Sequence, residues 1–200
     1  GLEAIDWSTI RTPDARPAHL APIIEQAQGR RTPAHHARCA ALAIASDDFV
    51  VDRRVDGKGS TTIIAGYPWF SDWGRDTMIA LPGCLLATGR FDEARSTLTT
   101  FAAHIADGLI PNRFDDYGGD PHYNTVDASL WFVQAALAYM DATGDDRAWG
   151  EGLEDACMAI VDAYAAGTRY GIGMTDDGLI AAGSPQTQLT WMDAARDGVV

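Results

Sequence analysis

Residues 66–81, G-Y-P-W-F-S-D-W-G-R-D-T-M-I-A-L, set Tyr67, Trp69, Phe70 and Trp73, with the carboxylates of Asp72 and Asp76, around one guanidinium at Arg75. Flat apolar faces suit the C–H side of a sugar ring. A fork of N–H donors beside carboxylates suits its hydroxyls, so this stretch can floor a carbohydrate site. The plainer reading is a helix start. Asp76 and Thr77 then offer side-chain oxygens to the unpaired N–H groups of a first turn, Arg75 pairs with Asp72, and the aromatics are core. This stretch alone does not separate the two readings.

The same chemistry returns twice. Residues 111–131, P-N-R-F-D-D-Y-G-G-D-P-H-Y-N-T-V-D-A-S-L-W, hold Arg113, Asp115, Asp116, Tyr123, Asn124, Asp127 and Trp131. Asp127 and Trp131, four apart, share one helix face. Residues 190–194, T-W-M-D-A, add Trp191 and Asp193. Taken singly, Asp127 reads as a first-turn acid favoured by the helix dipole, and Asp193 as a surface or capping acid. Their recurrence makes the elements that carry them decisive.

A short helix is expected over residues 17–28 and a better one from Thr32-Pro33 to about Asp47, with Ala37, Ala40, Ala41 and Ile44 on one stripe. Residues 49–65 read as a hairpin, because V-V-D-R-R-V and S-T-T-I-I-A flank Asp56-Gly57. Beyond it helices are expected over 76–88, 91–107, 125–143 and 147–168, the second with Phe91, Ala94, Leu98, Phe101 and Ile105 at helical spacing. A-T-G-R-F-D-E-A at 87–94 and A-T-G-D-D-R-A-W at 142–149 mark one place in two successive helix pairs. Connections alternate short and long, the mark of an α-solenoid or toroid. Short turns then close one face, and the long loops place all three clusters on the other, near the N-termini of alternate helices.

At 46% hydrophobic and 22% charged, the 200 residues have ordinary globular composition. A net charge of −13 argues against nucleic acid or an anionic membrane as partner. No apolar run reaches the ~20 residues of a bilayer span, and the start G-L-E-A-I-D lacks both a signal-peptide pattern and an initiator Met. Cys39, Cys84 and Cys157 sit in apolar helical patterns, which predicts buried free thiols in a reduced, cytoplasmic compartment. The five histidines show no ligand spacing, so neither metal nor cofactor is expected.

W-F-S-D-W-G-R-D-T-M-I-A-L-P-G, G-L-I-P-N-R-F, Y-N-T-V-D-A-S-L-W-F and T-W-M-D-A together closely resemble the glycogen-debranching-enzyme family, in particular its glucoamylase-like amylo-α-1,6-glucosidase module. The resemblance covers about residues 60–200, in order. It implies an all-α fold, the (α/α)6 toroid of paired helices, and inverting hydrolysis of α-1,6-linked glucose from glycogen-like glucans. It further implies that Asp193 is the general acid and that Arg75 and Asp76 grip glucose hydroxyls. Trp69, Asp72, Trp73, Arg113, Tyr123, Asn124, Asp127, Trp131 and Trp191 are the remaining candidate substrate contacts.

The helices expected here make about half of such a toroid, and the family's glutamate base belongs to a later segment. The chain is therefore expected to be a piece of a longer protein, with residues 1–50 leading into the first helices and 51–200 the N-terminal half of the glucosidase domain. Inversion needs an acid that still holds its proton near neutral pH, set across the ring from a base. An aromatic before Asp193 and a Gly-rich loop upstream fit that need; Asp72 and Asp127 are its rivals. Asp76, beside Arg75 in sequence, is expected to stay ionised. Two further readings stay open: another α/α-toroid glycosidase of glucoamylase or trehalase type, and a non-catalytic glycan-binding domain.

Overall fold

A computed structural model describes residues 33–55, 57–115 and 119–191. Asp116, Asp193 and the helix expected over 17–28 lie outside the described residues, as does the capping residue Thr32. The chain divides into two compact units, Gly1–Asp48 and Phe49–Val200. In the first, α1 spans Pro33–Asp47. Among its residues from Arg38 onward, Ala40 and Ala43 are buried, whereas Ala41, expected on the buried stripe, is exposed.

The regular structure of the second unit is mainly helical, with a small antiparallel hairpin at its start. Strand β1 (Val50–Val55) pairs with β2 (Lys58–Ile63) in the register Val55↔Lys58, as the expected hairpin requires; Asp56 lies outside the described residues. Gly57 has φ +76°, which glycine adopts without steric cost. Helix α2 covers Gly74–Leu81 and continues through a π-helical turn, Pro82–Leu86; α3 is Phe91–Ala102 and α4 is Ala128–Thr143. One helical turn (Asp146–Ala148) and a second π-helical turn (Trp149–Leu153) lead into α5, Glu154–Ala166. Among the described residues no helix is long and apolar enough to cross a membrane.

The repeated A-T-G has one physical explanation at both sites. The Thr88 hydroxyl donates to the Cys84 carbonyl at 2.7 Å, and the Thr143 hydroxyl to the Tyr139 carbonyl at 2.7 Å. Gly89 (φ +73°) and Gly144 (φ +62°) then turn the chain out of the helix in the left-handed conformation. α2 packs chiefly on α4, and α3 on β2 and α4. Met78, Leu81, Leu85, Leu98, Phe101 and Phe132 form the shared core. Along α3, Ala94, Leu98 and Phe101 are buried as their spacing predicts, but Phe91 is exposed and Ile105 lies past the helix end.

Three local departures from the sequence reading bear on the site. First, α2 begins at Gly74, two residues early. Its N-cap is Trp73, whose backbone bridges to Arg113 across the fold, and the Gly74 N–H donates to the Asn112 carbonyl at 2.8 Å. Thr77 is consequently no cap: it is buried, and its hydroxyl donates to the Ile63 carbonyl. Second, the loop after α3 is folded back on itself by an Arg113↔His122 bridge. Third, the Gly-rich loop after α5 carries a short ribbon, β3 (Gly173–Met174) with β4 (Ile180–Ala181), which strands of two residues leave no alternation to reveal. All three cysteines are free thiols; Cys157 is buried, while Cys39 and Cys84 are half-buried.

Candidate functional site

Backbone approach fixes the first turn of α2. A side chain at Gly74 would put its Cβ 2.2 Å from the Pro111 carbonyl oxygen, so only glycine lets residues 110–113 lie against that turn. Arg75 follows, 8% exposed, and its side chain reaches inward to the start of α4. Its Nε donates to Asp127 Oδ1 at 2.7 Å and Oδ2 at 2.9 Å, and Nη2 also stands 2.7 Å from Oδ1. Nη2 donates further to Thr125 Oγ1 at 3.0 Å and to the Leu189 carbonyl at 3.3 Å. Nη1 makes no hydrogen bond among the described residues.

Thr125, which the sequence reading missed, organises the other side of this cluster. Its hydroxyl donates to Asp127 Oδ1 at 3.1 Å and accepts from the Ala128 N–H at 3.4 Å, so Thr125 rather than Asp127 helps to cap α4. A threonine three residues before the first helical residues was the available signal. The flanking backbone is tied from two directions. Tyr164 Oη donates to the Val126 carbonyl at 2.7 Å, and the Val126 N–H donates to the Leu189 carbonyl at 2.9 Å. The first turn of α2, the start of α4 and the end of the Gly-rich loop therefore meet on one guanidinium.

Electrostatics at Asp127 follow from that contact. Partial burial would raise its carboxyl, but the hydrogen bonds and charge of Arg75, helped by the Thr125 hydroxyl, hold it below the ordinary carboxylate range. It stays ionised and is a poor proton donor. A folded-state pKa below the unfolded value of 3.8 contributes stability that is complete above that value and is lost as pH falls through the folded pKa. Because the carboxylate is 36% exposed, solvent screening limits the contribution to at most about 1 kcal/mol. In urea titrations at a series of pH values, Asp127→Asn is expected to trail the wild type above about pH 4 and to converge with it in stronger acid. A gap independent of pH would refute this account.

Asp72 faces away from the cluster. Its carboxylate accepts from Arg53 Nη1 at 2.7 Å and from the Thr62 hydroxyl at 3.1 Å, with its side chain fully buried. The expected Arg75–Asp72 pair is thus replaced by Arg75–Asp127 and Arg53–Asp72, and the geometry gives Asp72 the work of tethering the hairpin rather than meeting a sugar or donating a proton. Asp76 is the opposite case. It is exposed and has no side-chain partner among the described residues, so Arg75 does not hold it.

The aromatic candidates divide. Trp69 is 69% exposed and Trp191 73%, with Tyr67 and Phe70 also exposed on the turn before α2, and Trp131 exposed one turn into α4. Trp73 is half-buried, with the Arg113 guanidinium 5.8 Å from its ring centroid; Arg113 Nη2 also approaches His122 Nε2 at 3.5 Å. Tyr123 is turned elsewhere: its hydroxyl donates to the His104 carbonyl and its ring lies under Arg169, 5.3 Å away. Asn124 is exposed, its amide reaching the Gln188 carbonyl at 3.4 Å. No group of three His, Cys, Asp or Glu side chains suited to a metal occurs among the described residues.

Comparison with known proteins covers most of the chain. The family model described as amylo-alpha-1,6-glucosidase matches residues 44–200. The glycogen debranching enzyme of Saccharomyces cerevisiae is 45% identical over 89 residues, 42% of this chain and 6% of the yeast protein. The chain thus spans a small part of the curated relative that it matches.

Proposed function

This chain belongs to the amylo-alpha-1,6-glucosidase family, and on that premise we propose that it forms part of a glycoside hydrolase that removes α-1,6-linked glucose from glycogen-like glucans with inversion. The observation that carries the proposal is the convergence at Arg75. Three chain segments, at Arg75, Thr125–Asp127 and Leu189, the outer two 114 residues apart, join at the ends of α2 and α4 that the long loops enter. That is the arrangement a one-faced site on an (α/α)6 toroid requires, and the alternation of short and long connections supports the same architecture.

In this reading Asp76, exposed and without a side-chain partner among the described residues, takes glucose hydroxyls, and the exposed Trp69 and Trp191 offer faces to sugar rings. Asp193, four residues beyond Leu189, supplies the proton to the glycosidic oxygen, opposite the glutamate base that the family resemblance implies. The rivals for the acid role have lost ground: Asp72 is enclosed with Arg53, and Asp127 is held ionised. The test is the anomer released by the full-length protein from a glucan bearing single α-1,6-linked glucose stubs, followed by proton NMR before mutarotation. β-Glucose is expected first. α-Glucose as first product would exclude inversion, and binding without hydrolysis would favour a glycan-binding domain.

A further inference from the structure

We infer that the ribbon of β3 and β4, residues 173–183, is an arm that closes over a bound glucan chain beside the Arg75–Asp127 cluster; this rests on the glucosidase reading above. Both ends of the Gly-rich loop are tied to one residue. Tyr164, near the end of α5, donates to the Val126 carbonyl at 2.7 Å, and the Val126 N–H donates to the Leu189 carbonyl at 2.9 Å. Ile172 and Leu189 are buried, whereas every residue from 174 to 186 is exposed. A loop whose ends meet next to Asp127 and whose middle stands in solvent has the layout of a lid.

The arm is held at its base. The Gly183 N–H donates to the Tyr170 carbonyl at 2.7 Å, and the Thr168 N–H to the Ile172 carbonyl at 2.7 Å. Beyond that, among the described residues, the hydrogen bonds of residues 174–182 stay within the ribbon, in the Met174↔Ile180 pairing and the turn from Thr175 to Leu179. A two-stranded ribbon alone is marginal in water. Met174 and Ile180 are a cross-strand pair, hence on one face, and both are exposed. Covering that pair with the C–H faces of a glucan favours the closed arm, and the exposed Asp176, Ser184 and Gln186 offer partners to its hydroxyls.

The base itself is clamped to the loop after α3. The Thr168 hydroxyl donates to the Asp107 carbonyl at 2.6 Å, and Arg169 Nε to Asp107 Oδ2 at 2.5 Å. Asp107 (φ +52°) and Tyr170 (φ +60°) are the two non-glycine residues with left-handed φ among those described, and they stand on the two sides of this clamp. Aspartate tolerates that conformation; tyrosine adopts it at a cost, and such outliers gather at clamps and switch regions. The Tyr170 carbonyl presented in this way is the one that receives Gly183. Gly173 and Gly183 (φ +82°) bound the arm and supply its hinges outside the buried anchors.

Hydrogen exchange in the full-length protein reads closure directly. With 1-deoxynojirimycin, a glucose-shaped amine, and maltoheptaose, a linear α-1,4-linked chain, the amides of residues 174–182 should exchange about tenfold more slowly, and those of the α3 core as before. A second protein, with Asn-Gly in place of residues 174–180, loses the tip and keeps Ile172 and Leu189. Its unfolding midpoint should stay within about 2 °C of the wild type. Its kcat/KM on the branched glucan should fall about tenfold, and at least about fivefold less on α-glucosyl fluoride, which carries no chain to cover. Should the shortened loop fold poorly, Arg169→Gln frees the base by removing an exposed ion pair; KM for the branched glucan should then rise about fivefold and the slowing of exchange shrink. Absence of ligand-induced slowing, or equal losses on both substrates, overturns the arm. A wild type whose ribbon slows but which releases no α-1,6-linked glucose refutes the reaction and leaves the arm standing. Hydrolysis without slowing refutes the arm alone.

Discussion

Asp193→Asn in the full-length protein is expected to lose about 10²–10⁴-fold in turnover of an α-1,6-linked glucoside and to keep most of its activity on α-glucosyl fluoride. The substitution preserves side-chain shape while removing the transferable proton. A sugar alkoxide is a poor leaving group, so its departure depends on protonation; fluoride departs without much help. Asp76→Asn serves as the control, because a carboxylate that holds the glucose ring matters whatever the leaving group, and both substrates should suffer alike. Equal losses for Asp193→Asn would remove it from the acid role. The rivals would then be hard to promote: Asp127 is bound by Arg75 and held ionised, and Asp72 has its oxygens turned to Arg53 and Thr62.

Local signals in the sequence gave the parts of this fold whose causes are local. Asp56-Gly57 between β-branched runs marks the hairpin, and the two A-T-G segments mark helix ends, because a hydroxyl bonded back to the helix and a left-handed glycine are set by neighbouring residues. Partners across the fold were another matter. Arg75 has Asp72 three residues before it and Asp76 next to it, yet its guanidinium goes to Asp127, 52 residues away. Nothing in spacing ranks one carboxylate over another; the choice follows from Gly74 admitting the 110–113 backbone and from α2 packing on α4. The early start of α2 has the same origin, since Trp73 is held in extended conformation by pairing with Arg113. The aromatic clusters were legible as candidates, but only the fold divides exposed Trp69, Trp131 and Trp191 from the half-buried, hydrogen-bonded Tyr123.

Asp72→Ala is expected to cost about 3–5 kcal/mol of unfolding free energy, the usual consequence of removing one member of a buried ion pair. The Asp72 side chain is fully buried and that of Arg53 15% exposed, so deletion of the carboxylate takes a short, desolvated ion-pair partner from the guanidinium. The Thr62 hydroxyl loses its acceptor at the same time. Arg53 also lies 5.4 Å from the Phe114 ring centroid, a contact too weak to compensate a lost carboxylate. Urea denaturation of Asp72→Ala, Arg53→Met and the double variant checks this. The double variant should recover much of the loss, because an apolar side chain in place of the cation leaves no buried charge uncompensated. A single-variant loss below about 1 kcal/mol would mean that the pair behaves as a solvated surface bridge. The expected functional trace is indirect: Asp72 precedes the N-cap Trp73, so releasing it from β1 and β2 loosens the turn from which Arg75 and Asp76 project. Both the fluoride and the α-1,6-linked substrate should then slow together, unlike the selective loss expected for Asp193→Asn.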